Sequence, residues 1–245
     1  MKLTDHIYLV GSSCMGLSRQ GDCNVYAVES QGEIALIDCG LDPSGLDLLQ
    51  SLVRDGLDPS RIRCLLLTHV HPDHAGAVPA FQKIGVPVFC SRTAAQVLQD
   101  GLEAFYSLHT LPDSPTKAFF TGTPRAKADR ILQDGERISL GELTLRVISA
   151  PAHSPDSVCY LLELGAKKYL FSGDTLFYPG HINYFSGTLS CVSGYPEVIE
   201  TLARIAPDGL FPGHGLFTLD RAQNSTQAAL ESIQKGVLPP LKPYS

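Results

Sequence analysis

The run Thr68-His69-Val70-His71-Pro72-Asp73-His74 restricts this chain more than any other feature. Four metal-capable side chains stand within six residues, at the end of the apolar stretch Ile62–Thr68. Packing alone does not explain such a cluster. Polar side chains of this kind are costly to bury unless each finds a partner or a cation. In an extended or tightly looped segment, residues two apart project to the same side, so His69 and His71 can hold one ion together. Asp73 and His74 then turn toward a neighbouring position.

Three more candidates follow, each in a turn marked by Gly or Pro: His153 in Ala150-Pro151-Ala152-His153-Ser154-Pro155, Asp174 in Ser172-Gly173-Asp174-Thr175, and His214 in Phe211-Pro212-Gly213-His214-Gly215. The set is five imidazoles and two carboxylates, enough protein ligands for two divalent cations. His6, His109 and His181 lie outside these motifs and are given no metal role.

His-x-His-x-Asp-His, then a later His, a Gly-Asp and a final Gly-His-Gly, resembles the metallo-β-lactamase superfamily, with the glyoxalase II-like hydrolase branch the nearest match. Ile37-Asp38-Cys39-Gly40 is similar to the family's first motif, and the resemblance runs from about Ile7 to about Asp220. It implies an α/β fold, the four-layer αββα sandwich, where pattern alone gives only a mixed α/β chain. It further implies that His69, His71 and His153 hold one metal, that Asp73, His74 and His214 hold a second, and that Asp174 bridges them. Two divalent ions are expected; imidazole and carboxylate ligands suit Zn²⁺, and also Fe or Mn. Asp38 is expected to support the ligand loops through hydrogen bonds.

The activity implied is that of a metal-dependent hydrolase. A metal-bound hydroxide, formed near pH 7, would attack a small thioester, lactone or other ester. Asp73 is the candidate catalytic residue beyond ligation, orienting the nucleophile or taking a proton. Among Tyr178, Tyr184 and Tyr195, one is a candidate hydrogen-bond donor to the oxyanion. Two departures separate the chain from glyoxalase II itself: Tyr178-Pro179-Gly180-His181 diverges from that family, and little follows His214 except one helix and a Pro-rich tail. The alternatives are a persulfide dioxygenase-like enzyme, with one iron on His69, His153 and Asp174, and a metal-dependent phosphodiesterase. A non-catalytic binding module fits poorly with retention of all seven ligand residues.

Composition narrows the classes further. A net charge of −6 leaves no broad electrostatic footprint for nucleic acid or an anionic membrane. No apolar run approaches the ~20 residues that cross a bilayer, and Met1-Lys2-Leu3-Thr4-Asp5-His6 lacks the layout of a signal peptide. Seven cysteines without a Cys-x-x-Cys pair read as small buried hydrophobes in a reducing compartment, so a cytoplasmic location is expected. The expected partner is a small-molecule carbonyl substrate.

At 245 residues the chain is within reach of one α/β domain, so 1–245 is read as a single domain. Strands are expected at Ile7–Val10, Asn24–Val28, Ile34–Ile37, Ile62–Thr68, Val86–Phe89, Leu143–Ser149, Val158–Glu163, Tyr169–Phe171 and Gly209–Phe211. Helices are expected at Leu46–Val53 with Ser44 as N-cap, Ala75–Ile84, Pro196–Ile205 and Leu219–Lys235. Ligands thus follow strand ends. Three segments, Gly11–Asp22, Asp100–Arg130 and Thr175–Gly194, read as irregular. Residues 100–130 carry Leu102, Phe105, Leu108, Leu111, Phe119 and Phe120, too apolar for a solvated linker. This insertion is read as a substrate lid or a homodimer interface.

Overall fold

The structure is a computed structural model that describes residues 1–110, 113–121, 124–185 and 189–242. The chain divides into two compact units, Met1–Leu132 with Leu140–Glu142, and Gln133–Ser139 with Leu143–Ser245.

The first unit carries a six-stranded sheet in sequence order. Its strands are β1 (Ile7–Gly11), β2 (Val25–Ser30), β3 (Glu33–Ile37), β4 (Ile62–Leu66), β5 (Val88–Ser91) and β6 (Arg130–Leu132). The first three are antiparallel; β3, β4, β5 and β6 run parallel. The β2–β3 turn is the expected hairpin, with Gln31 and Gly32 both at positive φ, as a right-twisted two-residue turn requires. Consecutive residues of β2 to β4 are almost all buried, the pattern of strands covered on both faces. The helices are α1 (Leu46–Arg54), α2 (Pro72–Ala75), α3 (Val78–Lys83), α4 (Arg92–Asp100), α5 (Leu102–Phe105) and α6 (Pro115–Thr121).

Some local features differ from expectation. Helix α1 is capped by Gly45, at φ 65°, rather than by Ser44. The Ser44 hydroxyl is engaged by Asp42 Oδ2 at 2.6 Å and accepts the Leu46 N–H only at 3.3 Å. The helix expected over Ala75–Ile84 is two short helices, α2 and α3, broken after Ala75. The chain leaves helical geometry at Ala77, at φ −90° and ψ 3°, while Gly76 keeps it, at φ −59° and ψ −35°, in a crowded position. A Cβ there would lie 2.7 Å from the Pro72 carbonyl oxygen and 2.8 Å from those of Gly40 and Leu41. The loop after β3 is pressed onto α2, and only glycine fits between them.

Residues 100–130 are partly helical. Leu102, Tyr106, Leu108 and Phe120 are buried, whereas Phe105 and Phe119 are each 37% exposed. Leu111 lies outside the described residues. Helix α4 begins at Ser91, whose hydroxyl accepts the Ala94 N–H, and buries Ala94, Val97 and Leu98 along one stripe.

The second unit carries a five-stranded sheet, ordered β11 (Gly209–Pro212), β10 (Lys167–Gly173), β9 (Val158–Leu164), β8 (Leu143–Ser149) and β7 (Arg137–Leu140). Strand β10 is parallel to β11, and β9 is antiparallel to both β8 and β10. Helices α7 (Tyr195–Ile205) and α8 (Gln223–Gln234) contribute Tyr195, Ile199, Leu202 and Ala229 to a core that includes Ile148, Leu161, Leu170 and Leu210. Helix α8 starts later than the expected Leu219. Thr218 is still paired with Leu210, and Arg221 sits at φ 59°, outside helical space. Among the described residues, no helix is long and apolar enough to cross a membrane.

Gly76→Ala should destabilise the protein by about 1–3 kcal/mol or more, because the new methyl meets backbone that cannot yield locally. Gly85→Ala is the matched control, at φ 85° with nothing within 4 Å of its Cβ; it should cost only the left-handed penalty of about 1–2 kcal/mol. Urea unfolding of both variants checks this, and a Gly76→Ala protein as stable as its parent would contradict it.

Candidate metal centre

Parallel pairing of β3 with β4 brings two loops to one edge of the first sheet. Asp38 leaves β3, and Thr68 and His69 follow β4. The Asp38 N–H donates to the Leu66 carbonyl at 2.9 Å, so the two exits stay in register. Asp38 itself adopts φ 63°, a left-handed conformation that Asp tolerates better than most residues. Its buried carboxylate accepts the Thr68 N–H at 2.7 Å and the Thr68 hydroxyl at 2.8 Å, and lies 2.8 Å from His74 Nδ1.

These contacts assign protons. A carboxylate accepts only, so His74 carries its proton on Nδ1 and presents Nε2 as the basic nitrogen. The Thr68 hydroxyl donates to Asp38, so at its 3.0 Å contact with His69 Nδ1 it accepts. His69 is therefore also protonated on Nδ1 and basic at Nε2. One carboxylate thus sets the tautomer of His74 directly and that of His69 through Thr68. Cys39 completes the clamp, since its backbone N–H donates to the His74 carbonyl at 2.8 Å and its thiol reaches the same oxygen at 3.2 Å.

The ligand atoms so defined converge. His69 Nε2 is 3.0 Å from His71 Nδ1, and the His69 and His74 ring centroids are 4.0 Å apart. Asp73 Oδ2 is 3.6 Å from His74 Nε2. All four side chains are buried. Helix α2 starts at Pro72, which needs no N–H acceptor, with His71 in extended geometry before it. Two ring nitrogens 3.0 Å apart sit close to the edge of a tetrahedron with ~2.0 Å metal–nitrogen bonds. The donor set therefore fits a divalent cation.

The second unit repeats this logic. Strands β10 and β11 are parallel neighbours, so Asp174 and His214 leave from one edge. Two antiparallel steps from β10 to β8 send His153 out at the same end. His153 Nδ1 faces the Asn183 carbonyl at 2.8 Å, which places its proton there and makes Nε2 basic. Asp174 Oδ2 lies 3.7 Å from His153 Nε2 and 3.6 Å from His214 Nε2. The Gly213 N–H donates to the Gly173 carbonyl at 2.8 Å and fixes the spacing of the last two loops.

The seven sequence-predicted ligands thus form two groups, His69, His71, Asp73 and His74 in one unit and His153, Asp174 and His214 in the other. The Tyr195 hydroxyl donates to the Asn183 carbonyl at 2.5 Å and its ring is buried in the core, so it braces the oxygen that anchors His153. Tyr178 is 46% exposed, and Tyr184 packs against the core of its unit. Five of the seven cysteines are buried and none forms a disulfide among the described residues. Cys23 lies within 4.8 Å of the Asp38 and His74 donor atoms, and burial pushes its thiol up to about 12.

Sequence reading missed Thr68, Asn183 and Phe120. Thr68 stands at the head of the histidine run, and its hydroxyl beside a ligand loop was the available signal. Asn183 acts through its backbone carbonyl, which no residue type advertises.

The chain belongs to the metallo-β-lactamase superfamily, whose family model matches residues 18–235. It is a metal-dependent hydrolase of that superfamily. Acyl-coenzyme A thioesterase MBLAC2 of Gallus gallus is 30% identical over 227 residues, covering 86% of this chain and 78% of that protein. Atrochrysone carboxyl ACP thioesterase of Aspergillus fumigatus is 29% identical over 216 residues, covering 86% of this chain and 56% of that protein. A solved metallo-beta-lactamase family protein of Thermus thermophilus superposes with TM-score 0.75 at 22% identity, covering 96% of this chain and 81% of that one. The expected metallo-β-lactamase fold is therefore the observed one.

Asp38→Asn should weaken metal binding by about 10- to 100-fold, the usual cost of removing a partner that orients a metal-binding imidazole. Asn tolerates the left-handed backbone and keeps the shape, so the change isolates the hydrogen bonds. Chelator competition for Zn²⁺ measures it. Parent-like affinity would show that Asp38 does not set the ligand tautomers.

Proposed function

We propose that the protein hydrolyses thioesters with two divalent cations held by its seven ligand residues. The observation that carries this reading is the single carboxylate oxygen, Asp174 Oδ2, placed 3.6–3.7 Å from Nε2 of both His153 and His214. The family resemblance gives those two imidazoles to different cations, and an oxygen shared between them suits a bridging ligand. On this reading His69, His71 and His153 hold one ion and Asp73, His74 and His214 the other. The donors suit Zn²⁺, and also Fe or Mn. Bound cations of this kind lower the pKa of a shared water and stabilise an oxyanion.

The chain's own residues then have defined tasks. Asp38, Thr68 and the Asn183 carbonyl keep their three imidazoles in the tautomer that presents Nε2. Asp73 orients the attacking water through its carboxylate and takes a proton there. A thioester suits the site because a thiol, with a pKa near ~8.5, departs without a dedicated proton donor. The names of the two thioesterase relatives support the same substrate class.

The test is a parallel screen of acyl thioesters of coenzyme A and of small thiols, lactones and phosphodiesters on metal-loaded protein. Thioesters should turn over fastest, with thiol release abolished by chelator and restored by Zn²⁺. Activity confined to phosphodiesters or lactones would reject the proposal. Asp174→Ala should lower kcat/KM for the best thioester by at least about 100-fold, in keeping with the several kcal/mol that metal-assisted charge stabilisation supplies. Parent-like turnover with both metals retained would remove Asp174 from the bridging position.

A further inference from the structure

A histidine ligand must be aimed as well as placed. The torsion between its Cβ and ring is broad, so the side chain does not fix its own ring plane. In this protein three ligands are aimed by a hydrogen bond at Nδ1: His69 by Thr68, His74 by Asp38, and His153 by the Asn183 carbonyl. His71 differs. Its Nδ1 is the nitrogen turned to His69 Nε2, at 3.0 Å, so Nδ1 is the atom to be presented. Its ring meets that of His69 edge to face at 4.5 Å, and a second ring contact comes from another part of the first unit. Phe120, on α6, packs its ring against that of His71, with centroids 4.8 Å apart and planes at 66°.

Phe120 is only 1% exposed, although its helix neighbours Ala118, Phe119 and Thr121 are exposed. Its neighbour Phe119 meets it edge to face at 5.4 Å and stays half-exposed. Edge-to-face ring pairs have a preferred geometry and resist rotation of either ring. We propose that Phe120 is a positioning residue for the metal centre, holding the His71 ring in the plane that presents Nδ1. On this view residues 100–130 act on the histidine cluster through one buried side chain, separately from any effect on substrate entry. The inference rests on the proposal that His71 holds a cation.

The experiment compares Phe120→Leu with Phe81→Leu in the full chain. Leucine keeps an apolar side chain of fair volume and removes the ring. Phe81 is an equally buried ring on α3 of the same unit that packs against Gly45. Two readouts are taken: Zn²⁺ affinity by chelator competition, and the visible spectrum of the Co²⁺-substituted protein, which reports ligand geometry. Phe120→Leu should weaken Zn²⁺ binding by about tenfold, the lower end of what loss of an orienting partner costs, and should change the Co²⁺ bands. Phe81→Leu should leave both as in the parent while lowering the unfolding midpoint to a similar extent. Affinity within twofold of the parent for Phe120→Leu overturns the proposal. So does an equal loss in Phe81→Leu, which would make the effect one of general packing. A parent that binds no Zn²⁺ overturns this inference and the metal assignment together. A parent that binds Zn²⁺ but cleaves no thioester rejects only the substrate reading.

Discussion

Asp38 ends a parallel strand, turns left-handed, and accepts three hydrogen bonds from the neighbouring loop, and the site depends on that one buried carboxylate. Buried carboxylates are tolerated where their lone pairs are met by donors, and here the donors are the groups that need orienting. Without Asp38 the β3 and β4 exits lose their side-chain tie, His74 loses its tautomer, and Thr68 no longer has a reason to accept from His69. The left-handed backbone is a local cost repaid by those bonds. The tight approach of the Gly40–Leu41 carbonyls to Gly76 belongs to the same constraint, because it seats α2 and its two ligands under that loop.

The two units solve one problem by different means. Each must bury imidazoles and fix which ring nitrogen is presented. His69, His74 and His153 are each anchored at Nδ1, and the acceptors are a hydroxyl, a carboxylate and a backbone carbonyl. Chemical identity varies while geometry is kept. Such partners orient the imidazoles, as a preorganised metal site requires.

How far the sequence spoke depended on the range of the interaction. The seven candidate ligands stood out in the sequence because each sits in a short motif after a strand, where local spacing controls direction. The sheet strands with five or more residues were legible from their apolar runs. Strands β6 and β7 were passed over, although β7 alternates exposed and buried residues and the equally short β5 and β11 were read. Helix α4 carried its signal in full, with Ser91 as cap and Ala94, Val97 and Leu98 at helical spacing, and was passed over beside an irregular stretch. The close packing at Gly76 could not be read, because two of the three backbone oxygens that forbid a side chain come from a loop more than thirty residues earlier. Phe120 was one apolar residue among several, and which of them reaches His71 is a tertiary fact. The hydrogen bond from Tyr195 to Asn183 is of the same kind.

The central claim is that the seven ligands act together on two cations. Elemental analysis of metal-replete protein, joined to anomalous X-ray diffraction from crystals of the same preparation, tests it most directly. The account predicts two ions per chain, one on His69, His71 and His153 and one on Asp73, His74 and His214, with Asp174 between them. A single ion per chain under saturating metal, or two ions of which either lies away from these side chains, would contradict it.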